Sequence, residues 1–329
     1  MFKNFKINQN LIKSPPLFFI LFFFFVTVVT AQPLDIFKFN DNTLDLVQIS
    51  DVHFDSKSKS GNKRMLEHSE NLFKNAVLQV NNLADADFVV FSGDVVNKSD
   101  KSELLKFLNI ANSFKVPWYY APGNHDVGIL GGVSKSEIAC LFVKNSHCLS
   151  KNSLYYSYIP NKNFIILFMD GVIDNEITAN GYFPKEKLDW LDNQLKNNRD
   201  KKAIIVQHFP LVEPFKSSSH KVRNSDEYLS IIDKYSNVIA VLSGHYHATK
   251  ITQRKNVLHI STPALVEYPN AFREIKITRL KESTKFDIKL INTNLKDVQK
   301  ISKSRSKNST LQEGQEKDRN TVIVIKNQQ

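Results

Sequence analysis

Short, mostly apolar runs alternate along the chain with longer segments in which apolar residues recur at helical spacing. Leu44 to Ser50, Phe88 to Phe91 and Phe164 to Met169 have the length and composition of buried β-strands. Arg64 to Leu83 carries its apolar residues three or four positions apart, which predicts an amphipathic helix. The alternation of strands with helices predicts an α/β fold with mostly buried strands.

The same pattern continues to Ile291 without a linker rich in proline, glycine or serine. Further strands are predicted at 117–121, 203–206 and 238–242, and further helices at 103–114, 184–195 and 226–235. From Ile251 to Ile291 short β-like runs dominate, which indicates antiparallel additions to a sheet. We therefore expect one domain over residues 44–295, preceded by a lead-in over residues 32–43.

The first 31 residues differ from the rest of the chain. Lysines without acidic neighbours precede an apolar stretch, Leu17 to Val29, and small or β-branched residues then lead to Ala31. This order is typical of a secretory signal peptide over residues 1–31. We expect the protein to be secreted or extracytoplasmic, and periplasmic if its source is bacterial. An uncleaved membrane anchor is the alternative, although the apolar run is shorter than the roughly 20 residues of a spanning helix.

Charge and cysteine content narrow the possible classes of protein. The 329 residues include 44 Lys and Arg against 33 Asp and Glu, for a formal net charge of +11. The basic residues are spread along the chain rather than clustered with aromatic residues, so we expect no specific nucleic-acid partner. Residues 296–329 are basic and lack sustained periodicity, which predicts a disordered C-terminal tail.

The chain has two cysteines, Cys140 and Cys148. So small a number excludes a disulfide-framed mini-protein and a cysteine-rich zinc module. In an oxidising compartment the two thiols could close a small loop as a disulfide, and free thiols are the alternative. The predicted signal peptide slightly favours the disulfide, because exported proteins meet oxidising conditions.

Five short polar motifs follow predicted strands directly. They are, in order, Asp51-Val52-His53, Gly93-Asp94, Gly123-Asn124-His125-Asp126, Gln207-His208-Phe209-Pro210 and Gly244-His245-Tyr246-His247. Loops at the carboxyl ends of strands in α/β sheets converge on one crevice, so residues far apart in sequence meet there. Each motif alone is a weak signal, but the presence of all five at strand ends makes coincidence a poor explanation.

The residue types in these motifs suit a metal centre. Histidine and aspartate bind divalent ions of intermediate softness, such as those of Zn, Mn or Fe. The motifs hold more donors than one tetrahedral ion uses, which predicts two ions about 3.5–4 Å apart with one bridging carboxylate. Such a pair can lower the pKa of a water between the ions and can clamp a phosphoryl group. A serine or cysteine nucleophile is then not required, and the sequence has no Gly-x-Ser-x-Gly motif.

Together the five motifs resemble the pattern of the calcineurin-like metallophosphoesterase superfamily, over about Leu44 to Ile291. The whole chain is most similar to the bacterial branch of cyclic-nucleotide-phosphodiesterase-like proteins. The resemblance implies an α/β fold of four αββα layers, in which two mixed β-sheets are flanked by helices. Purple acid phosphatases have a tyrosine where this chain has Asn97, so a tyrosinate-bound ferric ion is not expected.

The resemblance also implies a role for each motif residue. One metal ion would be bound by Asp51, His53 and His247 and the other by Asn124, His208 and His245, with Asp94 as the bridge. His125 would not be a ligand, and it would stabilise the transition state and protonate the leaving oxygen. Asp126 would orient His125. The nucleophile would be a hydroxide that bridges the ions.

The sequence thus predicts a secreted phosphoesterase with two divalent metal ions, Mn, Fe or Zn, that acts on a small phosphate ester. We expect a phosphodiester substrate in the first place. A phosphomonoesterase or nucleotidase with the same site is one alternative, and a non-catalytic metal-binding scaffold is an alternative of another class. The presence of every ligand position and of His125 argues against the scaffold.

Overall fold

Strands and helices alternate through the part of the chain that the computed structural model describes, residues 41–59, 61–129, 131–145 and 153–327. The strands are β1 (Thr43–Ile49), β2 (Phe88–Ser92), β3 (Trp118–Ala121), β4 (Tyr156–Asn161), β5 (Phe164–Phe168), β6 (Lys202–Val206), β7 (Val238–Ser243), β8 (Lys250–Arg254), β9 (Val257–Ser261), β10 (Ala271–Arg279), β11 (Ser283–Asn292) and β12 (Thr321–Lys326). The helices are α1 (Ser69–Val80), α2 (Lys101–Ala111), α3 (Lys135–Asn145), α4 (Lys185–Asn197), α5 (Ser225–Ile232), α6 (Lys296–Arg305), α7 (Ser309–Glu313) and α8 (Glu316–Arg319). A short 3-10 helix over Leu66–His68 precedes α1.

The strands form two six-stranded sheets. The first has the order β12-β11-β10-β1-β2-β3, and the second has the order β4-β5-β6-β7-β9-β8. Both sheets are mixed. Strands β1, β2 and β3 run parallel, as do β5, β6, β7 and β9, whereas β10, β11 and β12 in the first sheet and β4 and β8 in the second pair antiparallel with their neighbours. Helices flank the sheets, so the predicted fold class is confirmed.

The elements form where local sequence favours them. Strands β2, β5 and β7 are buried along their whole length, as their uninterrupted apolar runs predicted. Helix α2 begins after Asp100, whose carboxylate accepts hydrogen bonds from the backbone N–H groups of Ser102 and Glu103. The sequence pattern did not predict β4, because this edge strand is half-exposed and lacks an apolar run.

The prediction of a disordered tail after residue 295 is wrong for the described residues 296–327. They form α6, α7, α8 and β12, and β12 pairs antiparallel with β11 at the edge of the first sheet. The side chain of Ile325 is buried, and the carboxylate of Asp318 accepts a hydrogen bond from the backbone N–H of Ile251. Few apolar residues suffice to order this segment, because it packs onto a core that the rest of the chain has already formed.

Some sequence predictions fall on residues that are not described. The signal peptide over residues 1–31, most of the lead-in over 32–43 and Cys148 lie outside the described residues. Its predicted disulfide partner, Cys140, lies on α3 and is exposed. None of the described helices has both the length and the apolar character needed to cross a membrane.

The packing of β12 gives a stability prediction. Ile325→Thr should lower the free energy of unfolding by about 2 kcal/mol, because it places a hydroxyl and a smaller side chain at a buried position. Val324→Thr is the matched control on the same strand, where the side chain is 57% exposed, and it should change that free energy by less than about 0.5 kcal/mol. Urea denaturation followed by circular dichroism measures both variants. Equally small effects would contradict the packing of β12 and favour a disordered tail.

Candidate metal centre

The five motif loops meet at one end of the two sheets. The loops after β1, β2 and β3 come from the first sheet, and the loops after β6 and β7 come from the second. Backbone hydrogen bonds join neighbouring loops: the N–H of Asp51 donates to the carbonyl of Gly93 (3.1 Å), and the N–H of Gly244 donates to the carbonyl of His208 (3.0 Å). The structure therefore brings the sequence-predicted side chains together, as expected for the carboxyl ends of parallel strands.

A buried glutamine links the sheets beneath this point. The Nε2 of Gln48, on β1, donates to the hydroxyl of Ser92 (2.9 Å) and to the carbonyl of Ser243 on β7 (3.0 Å). Its Oε1 accepts a hydrogen bond from the hydroxyl of Thr262 (2.7 Å). Both ends of the amide are thus hydrogen-bonded. The contact holds β1 and β7, which carry the first and last motifs, in a fixed position relative to each other.

The first group of donors consists of Asp51, His53 and His247, all of which are buried. The Nε2 of His247 lies 3.1 Å from the Oδ1 of Asp51 and 3.3 Å from the Nε2 of His53. Three donor atoms from the loops after β1 and β7 therefore face the same small space. These are the side chains that the sequence assigned to one metal ion.

The second group consists of Asp94, His208 and His245, which are also buried. The Nε2 of His208 lies 3.3 Å from the Oδ2 of Asp94 and 3.1 Å from the Nδ1 of His245. The same Oδ2 of Asp94 lies 3.7 Å from the Nε2 of His53, in the first group. Asp94 thus faces both groups, which is the position that a bridging carboxylate needs.

The donor set fits metal ions. The Oδ1 of Asn124 is buried, has no hydrogen-bond partner among the described residues and belongs to a residue that lines the same cavity. The Nδ1 of His208 lies 2.8 Å from the carbonyl of Ser92, and since a carbonyl only accepts, this nitrogen carries the proton. In the neutral ring, which is the form that binds a metal ion, the lone pair of His208 is therefore on Nε2 and faces Asp94. Carboxylate, imidazole and amide donors in this arrangement suit divalent ions.

The electrostatics of the site also favour a cation. Burial alone would lower the pKa of His208, but the carboxylates of Asp94 and Asp51 raise it to about 9. Burial would likewise lower the pKa of His247, but Glu267 and Asp51 raise it to about 9. The carboxylates thus stabilise positive charge where the ring nitrogens converge, and they would stabilise a bound metal cation in the same way.

The backbone at these residues is strained. Asp51, His53, Asp94, His245 and His247 all have positive φ angles, between 41° and 69°. Non-glycine residues adopt this left-handed region only at a free-energy cost, and such strain tends to occur at functional sites. The packing of the loops therefore holds the backbone of these five residues in a conformation that the isolated residues would rarely adopt.

The motif glycines leave room for close approach. A Cβ added at Gly123 would lie 2.1 Å from the Oδ1 of Asp94, and one added at Gly244 would lie 2.4 Å from the Oδ2 of Asp51. Both contacts are far shorter than real carbon–oxygen contacts, so a side chain at either position would displace a carboxylate of the site. The sequence motifs need glycine here because the ligands occupy that space.

His125 lines the cavity beside the two groups of donors. Its backbone N–H donates to the Oδ1 of Asp94 (2.8 Å), and its Nδ1 lies 2.7 Å from the carbonyl of Asn97, which fixes the ring. The guanidinium of Arg64 lies 3.5 Å from the Nε2 of His125. The Nε2 is therefore the ring atom available to the cavity, and Arg64 places a positive charge next to it.

Asp126 does not orient His125, contrary to the expectation from the resemblance. Its Oδ1 accepts a hydrogen bond from the N–H of Val96 (3.1 Å). Its Oδ2 accepts from the hydroxyl of Tyr120 and from the N–H of Gly123, both at 2.8 Å. Asp126 is fully buried and anchors the loops after β2 and β3, while the carbonyl of Asn97 orients the ring.

Sequence reasoning missed two residues that support the site. The Oε1 of Glu267 lies 3.0 Å from the Nδ1 of His247, and the Oε2 of Glu267 accepts a hydrogen bond from the Nε2 of Gln312 (2.6 Å). Burial would raise the pKa of Glu267, but the His247 ring above all lowers it to about 2. Neither residue belongs to a motif, so the sequence held no signal for this contact, which fixes the His247 ring.

A cavity of about 270 Å³ opens onto the donors. Its walls include the loop with Lys63 and Arg64, the motif loops, residues 215–220 and the C-terminal residues Asn308, Leu311 and Gln312. The rings of Phe215 and Tyr246 meet edge to face at 5.0 Å on one side. The site therefore has room for a small ligand next to the predicted metal ligands.

Comparison with known proteins identifies relatives of this chain. The family model of calcineurin-like phosphoesterases matches residues 44–249. A probable glycerophosphodiester phosphodiesterase of Arcobacter nitrofigilis is 27% identical over 220 residues, which cover 63% of this chain and 73% of the relative. A 3′,5′-cyclic-nucleotide phosphodiesterase of Nostoc sp. is 27% identical over 229 residues, 67% of this chain and 78% of the relative. These matches confirm the predicted resemblance.

A solved structure supports the fold. A dimetal phosphatase from Danio rerio superposes with a TM-score of 0.58 at 16% sequence identity, and the match covers 77% of this chain and 100% of that one. At this level of identity the match shows a shared fold. The two mixed sheets and their flanking helices are thus a known arrangement.

The contact between Glu267 and His247 gives a prediction about metal affinity. Glu267→Gln should weaken metal binding by about 10–100-fold, because an amide cannot accept hydrogen bonds from both His247 and Gln312 through its two ends. Competition with a chromophoric chelator measures the affinity. Glu103→Gln is the control, since Glu103 is a buried carboxylate that accepts hydrogen bonds from Ser56 instead. Equal affinities of both variants would show that Glu267 does not position the ligand.

Proposed function

The chain belongs to the calcineurin-like phosphoesterase family and is a hydrolase of phosphoric esters, and on this premise we propose that it is a phosphodiesterase that uses two divalent metal ions. The observation that carries the proposal is the convergence of two buried donor groups on Asp94. The names of the relatives, a glycerophosphodiester phosphodiesterase and a cyclic-nucleotide phosphodiesterase, support a phosphodiester substrate.

The proposed ligands are those of the two donor groups. One ion is assigned to Asp51, His53 and His247, the other to Asn124, His208 and His245, and Asp94 faces both. Bound divalent ions would supply Lewis-acid activation of water and neutralise charge on the phosphoryl oxygens. Ions of Mn, Fe and Zn all bind imidazole nitrogen together with carboxylate and amide oxygen, so these three metals are the candidates.

His125 is the proposed general acid. Its Nδ1 donates to the carbonyl of Asn97, so the ring acts as an acid when it carries a second proton, on Nε2, which faces the cavity. Arg64, beside that nitrogen, would attract an anionic phosphoryl group to this point. The chain thus offers a proton donor and a fixed cation on the side of the cavity next to Asp94.

Metal reconstitution tests the proposal. The protein without its first 31 residues, loaded with Mn, Fe or Zn, should bind two ions. It should hydrolyse bis(4-nitrophenyl) phosphate faster than 4-nitrophenyl phosphate. Elemental analysis gives the metal content, and release of nitrophenolate gives the rates. A faster reaction with the monoester would favour a phosphatase or nucleotidase, and absence of both reactions with two bound ions would favour a scaffold.

His125→Ala separates catalysis from metal binding. The variant should keep its metal content and lose about 10²–10⁴-fold in kcat, the range of general acid catalysis. His68→Ala, at the start of α1 and outside the cavity lining, is the control and should keep the full rate. An unchanged kcat for His125→Ala would remove this residue from the mechanism.

We also propose that the protein is exported. The proposal is supported by the order of charge, apolar stretch and small residues over residues 1–31. Protein recovered outside the cytoplasm should begin near Gln32 when its N-terminus is sequenced. Ala31→Arg should block this cleavage, because a large charged residue replaces the small one at the predicted site. A native N-terminus at Met1 would instead favour an uncleaved anchor.

A further inference from the structure

A second cavity adjoins the one at the metal centre. It has a volume of about 600 Å³ and is lined by Gly61, Asn62, Lys63, Arg305, Lys307, Asn308 and Gln312. Lys63, Asn308 and Gln312 line both cavities, so the two share a wall. We call the second cavity the basic groove, because every charged residue in its lining is a lysine or an arginine.

The walls of the basic groove are held in place by Arg305. Its guanidinium forms an ion pair with Glu67 (2.6 Å) and donates to the carbonyl of Gly61 (3.4 Å). These contacts join the end of α6 to the loop that carries Lys63. Because the carboxylate of Glu67 compensates its charge, Arg305 contributes more to the shape of the groove than to its positive potential.

Two lysines supply the available positive charge. Lys307 is exposed and forms no ion pair with any residue that the structure describes. The Nζ of Lys63 lies 3.7 Å from Glu267, but 56% of its side chain is exposed. The ammonium groups of both lysines can therefore contact a ligand in the groove. The groove lies on the side of the metal-centre cavity that Arg64 lines.

We propose that the basic groove binds a second phosphate group of the substrate, so that the preferred substrate is a phosphodiester with a further phosphate beyond the scissile one. The inference rests on the proposed function, since it takes the scissile group to lie at the metal centre. A substrate with a single phosphate would leave Lys63 and Lys307 facing solvent. A second phosphate would bring charge complementarity along the whole length of the two cavities.

A pair of ligands tests this without requiring turnover. Thymidine 3′,5′-bisphosphate should bind the metal-loaded full chain about 5–10-fold more tightly than thymidine 5′-phosphate, as expected for one or two partly exposed ion pairs. Isothermal titration calorimetry measures both affinities. The difference should shrink as salt is raised from about 0.05 to 0.5 M, because exposed charges are screened over a shorter distance.

Two lysine variants locate the effect. Lys307→Gln should remove most of the difference between the two ligands, whereas Lys317→Gln, an equal charge change on α8 outside the groove lining, should preserve it. Equal affinities in the wild type, or a difference that Lys307→Gln leaves intact, would overturn the inference. Hydrolysis of bis(4-nitrophenyl) phosphate by the same samples reports on the proposed function separately, since that ester has no second phosphate.

Discussion

Everything at this site depends on the burial of negative charge. Asp51 and Asp94 are 0% and 2% exposed, and an ionised carboxylate in such a place is costly unless positive charge compensates it. Burial alone would raise the pKa of Asp94, but the surrounding histidines hold it well below its usual value. The strained loops, the motif glycines and the joined sheet ends are the structural means by which the fold keeps these groups from moving apart.

Three imidazoles of the site are each fixed by a second contact. The carbonyl of Ser92 holds His208, the carboxylate of Glu267 holds His247, and the carbonyl of Asn97 holds His125. In each case the outer nitrogen is occupied, so the inner nitrogen faces the cavity. The chemistry of the site therefore depends also on residues outside the five motifs, which hold the rings in place.

The features that could be predicted from the sequence share one property: each depends on a short, continuous stretch of residues. Asp94 and His125 stand in motifs directly after apolar runs, and strand ends converge in any α/β sheet, so the site could be found from the sequence. Glu267 and Gln312 could not, because their role arises from single contacts between distant segments. The same reason explains β12, whose alternating pattern has meaning only beside β11. Asp126 was assigned by analogy, and only its actual partners revealed its anchoring role.

The contact of Gln312 with Glu267 has a consequence for the order of events during synthesis. A ribosome makes Asp51 more than two hundred residues before it makes Gln312. The last wall of the cavity and the support of His247 are thus added after all the ligands have been made. A nascent chain that has not yet reached Gln312 therefore carries an unfinished centre.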